Sequence, residues 1–245
     1  MIRYLLLLAV AVCLPVPEVR CQDPLKVAPQ AYKLQFENDW VRVTRVHYAP
    51  KEKIPEHYHT ELASAYVYLN DSGPVIFKHV DLPYGAITRP ATKAGSFRLF
   101  KSVKEVHAVE NTSDLPSDFL RIEFKTEAIN ENSLRGKFYT EPHPAGENFK
   151  KIQFENEQIR VSRHAIAPGK EMDESTSATE PALLVTLGTS VLNASGKAGK
   201  DKLTLEAGKT LWIAAGQQEH LLNSGDSPVE LLRFEFKTKP IEMRR

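Results

Sequence analysis

The stretch densest in chemistry is Ile54-Pro55-Glu56-His57-Tyr58-His59-Thr60-Glu61. His57 and His59 stand two apart, and on a β-strand that spacing puts both imidazoles on one face. Two imidazoles on one face are half a coordination set for Zn, Fe, Mn, Ni or Cu. A third, His107, lies in Val106-His107-Ala108-Val109-Glu110-Asn111, a short β-forming run. Three neutral imidazoles would hold a divalent ion at ~2.0–2.2 Å. Binding would weaken as pH falls through the histidine pKa of ~6.5, because protons compete for the same lone pairs. Glu61 is a fourth candidate, sharing the histidine face only if the strand continues that far. The competing reading is a pair of solvated histidines at a strand end. Tyr58, Tyr66 and Tyr68 are candidates to line a pocket. His47, His79, His143 and His164 read as surface or hydrogen-bonded residues. The sequence has no nucleophile–base–acid constellation, no glycine-rich phosphate loop and no G-x-S-x-G, which argues against a serine hydrolase, a nucleotide enzyme or a dehydrogenase.

The elements that must position these residues are strands, and they come in two sets. Residues 35–50 (QFENDWVRVTRVHYAP) reappear at 153–168 as QFENEQIRVSRHAIAP, with nine of sixteen positions identical. FLRIEFKT at 119–126 recurs as LLRFEFKT at 231–238. A unit this long is a whole small domain, so the chain reads as a tandem duplication. Strands are expected at 31–37, 40–48, 65–69, 74–80, 97–100, 106–109 and 118–125. The second set falls at 149–155, 158–166, 182–187, 189–193, 203–205, 210–214, 220–222 and 229–237. Gly, Pro, Asn and Asp punctuate them, and no window sustains a helical period, which predicts an all-β sandwich or barrel. The expected organisation is a leader at 1–21, a first barrel at 22–127, a polar linker at 128–148 with room for one helical turn, and a second barrel at 149–240. Residues 82–94 read as an insertion of the first copy, suited to a rim loop.

On these residues the chain resembles the cupins, and the duplication makes it resemble a bicupin: two tandem double-stranded β-helix (jelly-roll) barrels. The first cupin motif is matched by Ala49-Pro50-Lys51, His57-x-His59 and Gly73, the second by Gly95 and His107-Ala108-Val109-Glu110-Asn111. No Glu follows His59 by three or four residues, and Lys101-Ser102-Val103 stands where the motif has Pro-x-Gly. The resemblance implies a three-histidine site, His57, His59 and His107, for a divalent transition metal (Fe, Mn, Zn or Ni). It implies a metal-dependent enzyme acting on a small molecule. A dioxygenase comes first, with isomerase and lyase chemistry also compatible. A non-catalytic binder or a scaffold with degenerate sites is the alternative. It also implies pairing of the two barrels with each other, or of chains in a homo-oligomer.

Comparing the copies separates site from scaffold. At the offset of 118, His57 and His59 fall on Ser175 and Ser177; at an offset of 113, His107 falls on His220. Serine hydroxyls are poor ligands for transition metals, so metal chemistry belongs to the first copy. Arg42/Arg160, Arg45/Arg163, Arg121/Arg233 and Glu123/Glu235 are kept in both, which predicts Arg–Glu pairing between first and last strands of each barrel.

Residues 1–21 have a basic start, a short apolar run and small residues before a cut after Cys21, the pattern of a secretory signal peptide. This predicts a secreted or periplasmic protein. Both cysteines, Cys13 and Cys21, lie in that segment, so the remaining chain has no disulfide. Without the leader, 30 basic and 30 acidic residues remain, interspersed. That balance gives no footprint for nucleic acid or an anionic membrane and leaves a small molecule as the expected ligand.

Overall fold

The computed structural model describes residues 23–242, apart from 81, 82, 84, 145, 197 and 198. The leader expected at 1–21 lies outside the described residues, as do positions 82 and 84 of the expected insertion. After a four-residue helix, α1 (Pro24–Val27), the first barrel runs through β1 (Tyr32–Glu37), β2 (Val41–Tyr48), β3 (Lys53–His59), β4 (Ser64–Tyr68), β5 (Val75–His79), β6 (Ala86–Arg89), β7 (Phe97–Phe100), β8 (Glu105–Asn111), β9 (Ser117–Phe124) and β10 (Arg135–Phe138). The second comprises β11 (Phe149–Glu155), β12 (Ile159–Ile166), β13 (Glu171–Ser175), β14 (Ala182–Thr186), β15 (Ser190–Gly196), β16 (Gly199–Leu205), β17 (Thr210–Ile213), β18 (Gln218–Asn223) and β19 (Val229–Phe236).

Each barrel is two antiparallel sheets facing one another. In the first, β1-β2-β9-β4-β7-β10 opposes β3-β8-β5-β6; in the second, β11-β12-β19-β14-β17 opposes β13-β18-β15-β16. The strand orders correspond one to one except for β10. The shared Phe-Glu-Asn explains part of this: Asn38 Oδ1 accepts the backbone N–H groups of Trp40 and Val41, and Asn156 Oδ1 those of Gln158 and Ile159, so the same Asx turn sets both opening hairpins.

The two large sheets pack against each other. Val41, Val67, Leu99, Leu120 and Phe124 of the first join Ile159, Val185, Leu232, Phe234 and Phe236 of the second in one buried cluster. The alternate residues point into the barrels: Tyr48, Tyr66 and Phe119 in the first, Ile166, Leu184 and Leu231 in the second. This is why β4 and β14 are buried at every position instead of alternating. Each such side chain contributes roughly 1.5–3 kcal/mol of burial.

Three differences from the sequence reading have physical causes. The stretch assigned to a linker holds a 3₁₀ turn at Glu131–Ser133, as expected, but also β10, which hydrogen-bonds to β7 and extends the first barrel's large sheet. The presumed insertion contains β6, paired with β5, and β16 pairs with β15 in the same place, so the second copy keeps that strand. The Arg–Glu pairing holds for Arg42–Glu123 (4.0 Å) and Arg160–Glu235 (3.5 Å). Arg163 likewise pairs with Glu230 (3.2 Å) and Arg45 with Asp118 (2.6 Å), and these two arginines also tie the barrels together. Arg45 Nη1 donates to the Ala207 carbonyl (3.3 Å) and Arg163 Nη2 to the Gly95 carbonyl (2.6 Å).

Candidate metal centre

β3 pairs with β8, setting His57 directly opposite His107 and His59 opposite Glu105. A register shift between Ile54 and His57 inserts one residue into β3, and this bulge turns both histidines inward. His57, His59 and His107 are 0%, 8% and 1% exposed, so the reading as solvated histidines does not describe them. Each offers a ring nitrogen within 4.8 Å of the others. Ring centroids are 4.8 Å apart for His57–His59 and His57–His107, and 5.0 Å for His59–His107. Glu61 is exposed and lies beyond the end of β3, so it is not brought to this group.

Hydrogen bonds set the roles of the nitrogens. His57 Nδ1 lies 2.9 Å from the Pro55 carbonyl, which can only accept, so Nδ1 carries the proton. The His57 Nε2 lone pair faces inward, 2.9 Å from Tyr32 Oη and 3.1 Å from His59 Nε2. Ligand nitrogens about 2.1 Å from one ion at cis or tetrahedral angles stand roughly 3.0–3.4 Å apart, so this spacing suits shared coordination. Both nitrogens of His107 are buried without a hydrogen-bond partner. A buried, unpartnered imidazole is costly in a closed fold, and a cation is the partner its lone pair can take. The donor set therefore fits a divalent transition metal.

Electrostatics keep these rings neutral. Burial lowers the His57 pKa, with the Arg121 charge adding to it. Burial also holds His59 well down, helped by Arg121, and His107, helped by His57. Neutral imidazole is the form that ligates metal. Around the site Tyr32, Tyr48, Tyr66, Phe77 and Phe119 form an aromatic wall. Arg89 stacks 3.8 Å over Phe77, while Arg98 and Arg121 flank Tyr66 at 4.5 and 5.6 Å. The space left is small: a void of about 10 Å³ beside His59 and His107, and one of about 30 Å³ lined by Asp23, Pro24, Leu25, Tyr58 and His59.

The second barrel is built otherwise, and the structure corrects three assignments. Asn111 and Asn223 play the same part: the Asn111 side-chain amide donates to the Ala49 carbonyl and that of Asn223 to Ile166. They fix the offset between β8 and β18 at 112, so His107 matches Glu219 and not His220. His220 faces outward, 39% exposed, on Asp173 at 2.7 Å and Glu171 at 3.4 Å. β13 lacks the bulge of β3, and it pairs Glu174 with Glu219 as His57 pairs with His107. The match to His57 is thus Glu174, not Ser175, and the match to His59 is Thr176, not Ser177. Sequence comparison missed Glu174 because the extra residue in β3 shifts the register. Glu174 is fully buried, with His164 Nδ1 at 2.7 Å, Arg233 Nη1 at 2.6 Å and Lys150 Nζ at 3.2 Å. It lines a cavity of about 390 Å³. Among the described residues, the clusters able to hold a metal lie in the first barrel.

No family model matches the chain, and no curated protein matches it. Solved structures do. The chain is similar to salicylate 1,2-dioxygenase from Pseudoaminobacter salicylatoxidans in its adduct with gentisate (TM-score 0.55, 10% identity, 81% of this chain and 68% of that one). It is similar to the oxalate decarboxylase formate complex of Lactobacillus farciminis (0.57, 11%, 86% and 85%). It is similar also to a cupin 2 conserved barrel domain protein from Leptotrichia buccalis (0.52, 11%, 84% and 88%). The fold is therefore that of the cupins, with two barrels in one chain.

Proposed function

We propose that the first barrel binds one divalent transition metal (Fe, Mn, Zn or Ni) on His57, His59 and His107 and serves a metal-dependent reaction on a small molecule, with oxygenase chemistry the first candidate. The observation that carries this is the convergence of three buried, neutral imidazoles, with both nitrogens of His107 unpartnered. When bound, the ion supplies a Lewis acid for a chelating substrate oxygen. The chain does the rest. The Pro55 carbonyl fixes the His57 tautomer, the Tyr32 hydroxyl, bonded to Tyr48, holds the His57 Nε2 lone pair until an ion takes it, and the aromatic wall lines the site. In this reading residues 1–21 are an export signal, the protein acts outside the cytoplasm, and the two copies arose by duplication. The second copy serves as a partner barrel.

One observation favours a second reading, a non-catalytic metal-binding bicupin: the voids beside the histidines have the volume of a water and not of a substrate. Oxygen uptake separates the two. The metal-loaded protein is offered salicylate, gentisate, catechols and enediols, with oxalate assayed for formate release. Turnover abolished by His107→Ala supports the enzyme; metal bound at full occupancy with no turnover on any of them supports the binder.

A further inference from the structure

We propose that the first barrel carries a second divalent-cation position, formed by His79, Glu105 and His107. It rests on the proposed metal reading to the extent that His107 belongs to both sets. β5 and β8 are antiparallel neighbours with His79 directly opposite His107, and Glu105 lies two residues along β8 on the same face. The three are 8%, 3% and 1% exposed, and their ligand atoms fall within 4.8 Å of one another. The His79 and His107 rings stand 5.2 Å apart at 89°.

Glu105 is the residue that asks for an explanation. A buried carboxylate is costly unless a cation or hydrogen-bond donors meet it. Among the described residues the Glu105 side chain makes no hydrogen bond or close ion pair: Arg121 and Arg98 act on it through charge alone, Arg121 being ion-paired with Glu123 at 3.3 Å and Arg98 keeping Nε and Nη2 unpartnered. His107 likewise leaves two nitrogens unmatched, where a single ion would use one. A cation between His79, Glu105 and the second His107 nitrogen satisfies both groups, and the one N–H proton of His107 passes to solvent as the second ion binds.

The second barrel supports reading this set as a site and not as scaffold. Through the register fixed by Asn111 and Asn223, the matches of His79, Glu105 and His107 are Gly196, Gln217 and Glu219. Residues that serve the fold, such as Arg121/Arg233 and Asn111/Asn223, are the same in both barrels, and these three are not. Two imidazoles and one carboxylate suit Zn²⁺, which accepts mixed nitrogen and oxygen donors.

The test is Zn²⁺ binding to the full chain stripped of metal, by calorimetric titration and by metal content after gel filtration. Wild type is expected to take two equivalents. Glu105→Gln, which keeps shape and removes charge, and His79→Ala should each take one. His57→Ala should also take one, because it spares the second position. Unchanged thermal unfolding of metal-free Glu105→Gln would show that the fold is intact; if it falls, His79→Ala provides the same comparison. One equivalent in wild type, kept by Glu105→Gln and His79→Ala and lost in His57→Ala, would overturn this inference and leave the first site standing. One equivalent lost in Glu105→Gln and kept by His57→Ala would overturn the first site and leave this one. No binding by wild type would sink both.

Discussion

Replacing Tyr32 by Phe should tighten metal binding while weakening the metal-free protein. In the metal-free barrel the Tyr32 hydroxyl lies 2.9 Å from His57 Nε2 and 2.7 Å from Tyr48 Oη. The Pro55 carbonyl holds the His57 proton on Nδ1, so Nε2 is the lone pair, and the Tyr32 hydroxyl occupies it. An ion arriving at Nε2 must displace that hydrogen bond. A buried neutral bond is worth about 1 kcal/mol net, within ~0.5–1.5. Tyr32→Phe removes it only from the metal-free state, so affinity should rise about fivefold. The same change deletes the bond to the buried Tyr48 hydroxyl, and loss of both bonds should cost the metal-free chain about 2 kcal/mol. For a chain of this size that lowers the unfolding midpoint by about 4–8 °C. The assays are competition against a chromophoric chelator near neutral pH and calorimetric unfolding of the metal-free protein. A fivefold loss of affinity would refute the reasoning, because it would mean that Tyr32 helps hold the ion.

Three further outcomes follow from other parts of the molecule. Arg163 is fully buried and donates to Gly95, Glu230 and Gln153, whereas Arg45, its counterpart, has a side chain 33% exposed. Arg163→Met should therefore cost about 3 kcal/mol and Arg45→Met about 1, read as the difference between their thermal shifts; equal shifts would count against the barrel–barrel contact described. Burial pushes the Glu174 carboxyl up, but His164, Lys150 and Arg233 outweigh it and hold it at about 2, against an ordinary 4.5. A depressed carboxylate gives stability that is full above the ordinary value and is lost as pH falls toward 2, so Glu174→Gln should flatten the acid limb of stability in that window, measured by denaturant unfolding. His220→Ala should leave metal content unchanged, because His220 is paired to Asp173 outside the barrel.

How much was legible in the sequence depended on whether a feature was local. His57-x-His59 declared its face through strand parity, and the strands around it followed from alternation and turn residues. The pairing of His107 with His57 came from resemblance, since no local pattern links residues fifty apart. The bulge in β3 was invisible, because one extra residue leaves composition and hydrophobicity unchanged; it shifted the register between copies and hid Glu174 behind Ser175. His79 read as a surface or hydrogen-bonded residue and Glu105 fell just outside the expected strand at 106–109, but the β5–β8 ladder brings both to His107. β10 was taken for linker because an edge strand of four residues, Arg-Gly-Lys-Phe, carries little apolar signal. Arg45 and Arg163 were recognised as serving the fold, but their partners across the barrel interface come from the other copy and could not be read along the chain.

Where the metal binds is the most direct test. Crystals of the full chain grown with Zn²⁺ and measured across the zinc absorption edge would settle it through the anomalous difference map. The account predicts a peak enclosed by the ring nitrogens of His57, His59 and His107. A map with no peak there, or with its strongest peak beside Glu174 in the second barrel, would contradict it.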